Sequence, residues 1–320
     1  MKREMIGVIF LTIMLALSPA AMAEYPDKPI TAIVGFAPGG AGDVSMRALC
    51  EQAGKILGQP IMIINKPGGT GSVGLASLKK EKPDGYNISH IAGGIFISQH
   101  MRELPFDLNK DFTPIVKYGD AVVPLMVKND SPWKTLKEFV NYAKANPGKI
   151  RYGTSGSGSV YHLAMETLAF QEGLKLIHVP FKSCALSDMA LLGGHIEAEV
   201  CQPATFVSNV RSGQTRLLAS FTGSRMPSFP QIPTAIELGY NIKMIHMTAI
   251  VGPKGLPKAV VTRLDRAFKE AMEGPEFKKF MMDFEMAIAY RNSDDLTREF
   301  KELTDYYKKI VAQTGVKEED

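Results

Sequence analysis

Cysteine is scarce in this 320-residue sequence, which contains only Cys50, Cys184 and Cys201. The three cysteines lie far apart and none belongs to a C-x-x-C pair, which argues against a zinc site or a dithiol redox site. Three cysteines cannot all pair within one chain, so at most one disulfide can form. The wide spacing favours the interpretation that none forms.

The sequence also has no convincing motif for a metal site or a nucleotide site. The six histidines show no paired metal-ligand spacing, and no G-x-x-x-x-G-K-[ST] segment is present, which excludes a P-loop. The stretch "GTGSVG" (69–74) matches G-x-G-x-x-G, but no acidic residue ends a strand about 20 residues later to bind a ribose. Asp84 comes too early and lies in a turn, "PDGY". We therefore expect a glycine turn that opens a helix, and no metal or cofactor.

Charge of one sign does not dominate the chain. Lys and Arg number 37, Asp and Glu 33, and the formal net charge is +4. The charges are dispersed apart from short clusters such as "KKEK" (79–82) and "KEED" (317–320). This pattern is typical of an ordinary solvated surface and predicts no nucleic-acid partner.

Long apolar runs occur only at the start. Lys2 and Arg3 precede 13 mostly apolar residues at 5–17, and small residues follow in "SPAAMA". This order predicts a secretory signal peptide over 1–23, cut before Glu24, and therefore a periplasmic protein. An uncleaved N-terminal anchor is the alternative, although 13 residues are short for a membrane span. No later stretch has the ~20 apolar residues of a membrane helix.

Strand and helix patterns alternate along the rest of the chain. A strand, a glycine-rich loop and a helix occur at 30–57 and again at 150–172, and a second strand series starts at 122–128. Short links between alternating elements predict α/β lobes built on parallel sheets with crossover helices. After 258 the pattern is helical, and we expect these helices to pack on the lobes.

Two glycine-rich loops are the candidate binding elements. They are "VGFAPGGAGDV" (34–44) and "GTSGSGS" (153–159), each between a strand and a helix. Such a loop presents unpaired N–H groups, short hydroxyls and the positive end of a helix dipole, which together can bind a carboxylate without lysine or arginine. Either loop alone could be a structural turn. Two of them in an exported two-lobe protein favour ligand capture.

The second loop also raises the alternative of an exported α/β hydrolase acting on a small acid ester. Its sequence resembles a nucleophile elbow, but Ser157 stands where G-x-S-x-G requires glycine. His162 lies on the following helix, seven residues after Ser155, and is poorly placed as a general base. We therefore predict a binding protein and no catalytic residues.

Several segments, in this order, resemble the periplasmic solute-binding receptors of tripartite tricarboxylate transporters, the Bug family. They include "YPDKPITAIVGFAPGGAGDVSMR", "LGQPIMIINKPGGTGSVG", "NPGKIRYGTSGSGSVYHLAMETL" and "LLGGHIEAEV", and the likeness runs from Tyr25 to the C-terminal helix. The resemblance implies a two-lobe periplasmic-binding-protein fold of the Venus-flytrap kind (type II) with two crossover strands. It places lobe 1 at 24–122 plus 248–320 and lobe 2 at 123–247.

The resemblance also implies a function and a site. A monomeric receptor would capture a small carboxylate ligand and deliver it to the membrane permease subunits of the transporter. The ligand-binding residues expected from the two loops and their surroundings are Phe36, Ala37, Gly39, Gly40, Ala41, Asp43, Gly94, Thr154, Ser155, Ser157, Ser159, His162 and Cys201. Among these, we expect Asp43 to cap its helix rather than to touch the anion.

The chain departs from the family pattern in three places. Cys201 stands where the family usually has aspartate, Met247 where it usually has tryptophan, and "FKS" (181–183) replaces "YKG". These positions lie where the end of the ligand remote from its carboxylate would bind, so the resemblance does not transfer the identity of the ligand.

Overall fold

The structure is a computed structural model that describes residues 25–202 and 206–317. The predicted signal peptide at 1–23 lies outside the described residues. Within those two ranges, no helix combines the length and the apolar character needed to cross a membrane.

Strands and helices alternate through most of the described chain. The strands are, in chain order, β1 (Ile30–Val34), β2 (Ile61–Asn65), β3 (Asn87–Ala92), β4 (Phe112–Ala121), β5 (Pro124–Lys128), β6 (Arg151–Thr154), β7 (Ile177–Pro180), β8 (Ala198–Val200), β9 (Thr215–Ser220), β10 (His246–Pro253) and β11 (Ala287–Arg291). The helices are α1 (Ala41–Leu57), α2 (Ser72–Leu78), α3 (Ile95–Ser98), α4 (Leu136–Ala145), α5 (Val160–Glu172), α6 (Cys184–Leu192), α7 (Phe206–Arg211), α8 (Lys258–Glu273), α9 (Pro275–Asp283) and α10 (Ser293–Thr314).

The strands form two sheets. The order is β11-β4-β10-β3-β1-β2 in the first sheet and β7-β6-β8-β5-β9 in the second. We call each sheet with its helices the first and the second lobe. Parallel pairing is confirmed for β1 with β2 and β3, and for β6 with β7 and β8. Contrary to the prediction from the sequence, the sheets are not parallel throughout, since β4, β5, β9, β10 and β11 pair antiparallel. The expectation of helices alone after 258 is wrong at β11.

The chain passes between the sheets twice. β4 ends at Ala121 and β5 begins at Pro124, while β9 ends at Ser220 and β10 begins at His246. The two-lobe fold expected from the sequence is therefore confirmed. The finer lobe boundaries, at 122 and 247, stay a prediction.

The C-terminal helix α10 ties the lobes together. Its Phe300 packs edge-on against Phe96 of the first lobe, with ring centroids 4.9 Å apart. Its fully buried Tyr307 accepts a hydrogen bond from the backbone N–H of Ile245 (2.9 Å) and donates to the Ile245 carbonyl (2.7 Å). Ile245 immediately precedes β10, so the helix stabilises the second crossing.

Side chains cap the starts of α4 and α10 in the usual way. The Thr135 hydroxyl accepts a hydrogen bond from the N–H of Glu138 and caps α4. Asn292 Oδ1 accepts from Asp295 N at 2.9 Å and caps α10. Ser293 is unavailable as a cap because its hydroxyl donates to the Pro114 carbonyl at 2.6 Å.

Cys184 and Cys201 form a disulfide, so the expectation of no disulfide is wrong. Helix α6 turns back at Gly193 and Gly194 into β8, which brings the start of the helix next to the end of the strand. The two Cα atoms lie 5.5 Å apart. Cys50 is free and buried.

Candidate functional site

The first loop joins β1 to α1 and leaves the start of that helix uncapped by side chains. Gly40 is the N-cap residue, with extended backbone, and among the described residues no side chain bonds to the free N–H groups of the first turn. Gly39 has φ of 80°, in the left-handed region that favours glycine. Ala37, Gly39 and Gly40 are exposed, and Ala41 is half-buried. The loop therefore offers backbone donors and the positive end of a 17-residue helix.

Asp43 holds this loop in shape and does not cap the N–H groups of α1, so the capping role expected from the sequence is wrong. Its buried carboxylate accepts hydrogen bonds from Gly39 N (2.9 Å), Asn65 Nδ2 (2.8 Å) and Arg47 Nε (3.0 Å). Burial raises the pKa of Asp43, but the hydrogen bonds from Arg47, Asn65 and Gly39 outweigh it and lower that pKa below its ordinary value. Asp43 is thus ionised, and its carboxylate contacts Arg47 and the backbone of the first loop.

Replacing Asp43 should loosen the loop. We expect Asp43→Ala to lower the free energy of unfolding by about 2 kcal/mol, because the amide of Asn65 and the N–H of Gly39 lose a charged acceptor. Asp43→Asn, which keeps the shape and one acceptor, should lose less. Chemical denaturation of both variants checks the order. If Asp43→Asn kept full stability yet bound an acid severalfold more tightly than the wild type, repulsion of the ligand by Asp43 would be its role instead.

The second loop joins β6 to α5. Ser159 caps α5, since its hydroxyl accepts from His162 N at 3.1 Å. The buried Thr154 hydroxyl accepts a hydrogen bond from Gly156 N (3.2 Å) and is hydrogen-bonded to His178 Nε2 (2.8 Å). These two contacts hold the loop in shape. Ser155 is half-buried. The Ser157 hydroxyl is buried and has no partner in the described part of the chain, which leaves it available to a ligand.

Neutral histidines support the second loop. His162 Nδ1 accepts from Gly158 N at 3.3 Å, and the His162 ring stacks on His178 with centroids 3.9 Å apart. Burial lowers the pKa of His162 to about 4, while burial and then the charge of His162 lower the pKa of His178 to about 3. Both imidazoles are therefore uncharged at neutral pH.

Gly94 brings the lobes together beside the second loop. A Cβ at Gly94, just after β3, would lie 3.9 Å from Ser159 Cα and 2.6 Å from Thr70 Cγ2. Thr70 belongs to the "GTG" turn (69–71) and has φ of 54°, an unusual conformation for a residue with a side chain. The turn opens a helix, as the sequence predicts, since α2 begins at Ser72.

Phe36 and Cys201 are the two remaining residues of the predicted set. The half-buried Phe36 ring packs edge-on against His90, with centroids 5.6 Å apart. Cys201 is fully buried and its sulfur is bonded to Cys184, so it has no free thiol. The described residues contain no group of three or more His, Cys, Asp or Glu side chains arranged to hold a metal ion.

Comparison with known proteins decides the family. Residues 45–316 match the family described as "Tripartite tricarboxylate transporter family receptor". This chain belongs to that receptor family. The receptor is 36% identical over 304 residues to a Cupriavidus necator protein, "UPF0065 protein in gbd 5'region", covering 94% of this chain and 93% of the relative.

Solved structures agree with the receptor fold. The periplasmic binding protein BugD is 27% identical with a TM-score of 0.83, and the match covers 92% of the receptor and all of BugD. MatC from Rhodopseudomonas palustris, solved with bound malate, is 25% identical with a TM-score of 0.82, covering 90% of the receptor and all of MatC. The likeness to BugD bears out the resemblance to the Bug family.

The receptor is a solute-binding protein and not an enzyme, and the hydrolase alternative finds no support. His162 Nδ1 is occupied by the Gly158 N–H, so that nitrogen is not available to activate Ser155 or Ser157 as a nucleophile. Receptors of this family serve tripartite transporters and are periplasmic.

Proposed function

We propose that this receptor captures a small organic acid by its carboxylate, between the first loop and the second loop. The proposal is supported by two observations, one in each lobe: no side chain caps the start of α1, and the buried Ser157 hydroxyl has no partner among the described residues. N–H groups at a helix start and a hydroxyl are donors that a carboxylate accepts, and the helix dipole favours its charge. The malate bound by MatC is an acid of this class.

The remaining ligand-binding residues have distinct proposed roles. Phe36, Ala37, Gly39, Gly40 and Ala41 let the anion approach the backbone of the first loop. Asp43 keeps that loop in shape. In the second loop, the Ser155 hydroxyl donates to the carboxylate, Thr154 and Ser159 shape the loop, and His162 supports it. Gly94 allows the two lobes to approach. The sulfur of Cys201 is committed to the disulfide, so its side chain would meet the ligand only as part of that bond.

Delivery and location complete the proposal. The acid is passed to the membrane permease subunits of a tripartite tricarboxylate transporter, and the receptor acts as a monomer. Residues 1–23 direct its export and are removed. The matched family, a receptor family of these transporters, supports this part.

A thermal-shift screen tests the proposed function. Mono-, di- and tricarboxylates are each compared with their methyl esters, which keep the carbon skeleton but lose the charge. A ligand at 100 times its Kd stabilises the folded state by about 2.7 kcal/mol, so the cognate acid should raise the Tm clearly and its ester should not. A Tm that no acid raises, or that esters raise equally, would contradict the proposal.

The serines of the second loop should separate binding from stability. We expect Ser157→Ala to weaken binding of the cognate acid by about tenfold, the loss of one hydrogen bond to a charged group, with little change in stability. Ser159→Ala should instead lower the free energy of unfolding by about 1 kcal/mol, because it removes the cap of α5. Calorimetric titration and chemical denaturation measure the two effects. Unchanged affinity in Ser157→Ala would remove this hydroxyl from the site.

A further inference from the structure

Two histidines of the first lobe have buried ring nitrogens without a hydrogen-bond partner among the described residues. His90, on β3, is 3% exposed, and neither its Nδ1 nor its Nε2 has a hydrogen-bond partner among the described residues. His246, the first residue of β10, has a buried Nδ1 that likewise lacks a partner there. Buried polar groups are nearly always hydrogen-bonded, and one that is not costs about 1–3 kcal/mol.

His90 lies directly under the start of α1. A Cβ at Gly42, in the first turn of that helix, would lie 2.9 Å from His90 Cε1. Phe36 covers the imidazole edge-on, and Tyr118 lies on another side with ring centroids 6.2 Å apart. The unsatisfied imidazole is therefore next to the N–H groups proposed to bind the carboxylate.

His246 faces the other helix start. Its ring packs edge-on against Tyr161, the second residue of α5, with centroids 5.2 Å apart. β3 and β10 are neighbours, with Ile250 opposite His90 and Thr248 opposite Ala92. On β10, His246 lies four residues before Ile250, the residue opposite His90. His90 thus contacts the start of α1 in the first lobe, and His246 contacts the start of α5 in the second lobe.

The chemistry of the pair differs from that of the loops. Burial, with the charge of His246, lowers the pKa of His90 to about 3, and burial lowers the pKa of His246 to about 4. Both are neutral at neutral pH and carry no positive charge. His90 therefore offers one N–H donor and one lone-pair acceptor, and His246 offers its Nδ1 as either a donor or an acceptor. A hydroxyl or an amide both donates and accepts, whereas an alkyl chain would leave the ring nitrogens unsatisfied.

We propose that His90 and His246 recognise an uncharged hydrogen-bonding group, a hydroxyl or an amide, on the acid that the loops hold by its carboxylate. The pair therefore selects substituted acids over plain alkyl acids. A site with buried polar groups discriminates strongly against a ligand that leaves them unpaired. This inference rests on the proposed function and adds the class of ligand.

Matched acids test the inference by calorimetric titration. Lactate is compared with propionate, malate with succinate, and succinamate with butyrate. The wild type should bind the substituted member of at least one pair about tenfold or more tightly than the plain member. In His90→Leu this ratio should fall towards one, and His90→Gln, which keeps a donor and an acceptor, should retain part of it. The exposed His195 supplies the control variant, His195→Asn, which should keep the full ratio.

The outcomes are distinguishable. If the wild type and His90→Leu bind acids with the same ratio of affinities for the substituted and plain members, the inference is wrong and the proposed function stands. If the wild type binds the plain acids more tightly, the inference is also wrong and the proposed function also stands. Binding of none of the acids would overturn both. Circular dichroism of each variant establishes that it is folded before titration.

Discussion

Lowering the pH from about 6.5 to about 4.5 is expected to reduce the free energy of unfolding by several kcal/mol. Five histidines have pKa values that burial lowers in the folded state, to about 3 for His90 and His178 and to about 4 for His162 and His246. The fifth is His100, whose pKa burial also lowers. Their pKa in the unfolded chain is about 6.5. Between pH 6.5 and 4.5 the unfolded state binds more protons at these histidines than the folded state does. Their contribution to stability is therefore complete above pH 6.5 and is lost as the pH falls towards their pKa values in the folded state.

The magnitude follows from the number of groups. Each such histidine contributes at most about 1.4 kcal/mol per pH unit. Glu199 and Asp265 act in the opposite direction. Burial raises the pKa of both, and the charge of Asp188 raises that of Glu199 further, so the folded state binds more protons at these two groups. Two carboxyl groups do not offset five histidines.

Chemical denaturation across this range measures the effect. His178→Phe keeps a ring in the stack with His162 but removes one titrating group, so its curve should be shallower. The exposed His195 provides the matched control, and His195→Asn should follow the wild type. A wild-type curve that is flat between pH 6.5 and 4.5 would show that the histidines are not held neutral.

Removal of the Cys184–Cys201 disulfide is expected to cost about 3 kcal/mol of stability. The cysteines are 17 residues apart, and closing a loop of this length in the unfolded chain accounts for a loss of that size. The bond also anchors the segment that continues to Gln202, whose side-chain amide donates to the Phe284 carbonyl in the other lobe. The Cys184→Ala/Cys201→Ala variant should therefore unfold at lower denaturant concentration.

A reducing agent gives an independent check of this prediction. Dithiothreitol should bring the wild type to the stability of the double variant and leave the double variant unchanged. Cys50 is buried, and burial raises its pKa, so this thiol should not contribute to the response. Equal stability of the wild type with and without dithiothreitol would mean that the bond is absent or adds nothing.

Local patterns were sufficient to predict the loops and most of the elements around them. The apolar run before "GFAPGG" predicts β1, and the glycines predict the start of α1 to within two residues of where the helix begins. β4 was missed because its sequence contains Pro114, Lys117, Gly119 and Asp120, which are poor strand signals. Lys117 is tolerated there because it is paired with Glu299 at 2.6 Å.

Features that depend on distant segments could not be predicted. Pairing of Cys184 with Cys201 requires α6 to fold back onto β8, and no spacing rule encodes that contact. A lone histidine in a strand, such as His90, does not reveal what it faces. Its neighbours are set by β10, which enters the sheet between β3 and β4 after the chain has crossed to the second lobe and returned.

A crystal structure of the receptor with its tightest-binding acid tests the central claim most directly. The account predicts a carboxylate oxygen about 3 Å from the N–H groups at the start of α1, with the Ser157 hydroxyl also within hydrogen-bond distance of the ligand. Binding of the acid away from both loops, or contact with only one lobe, would contradict it.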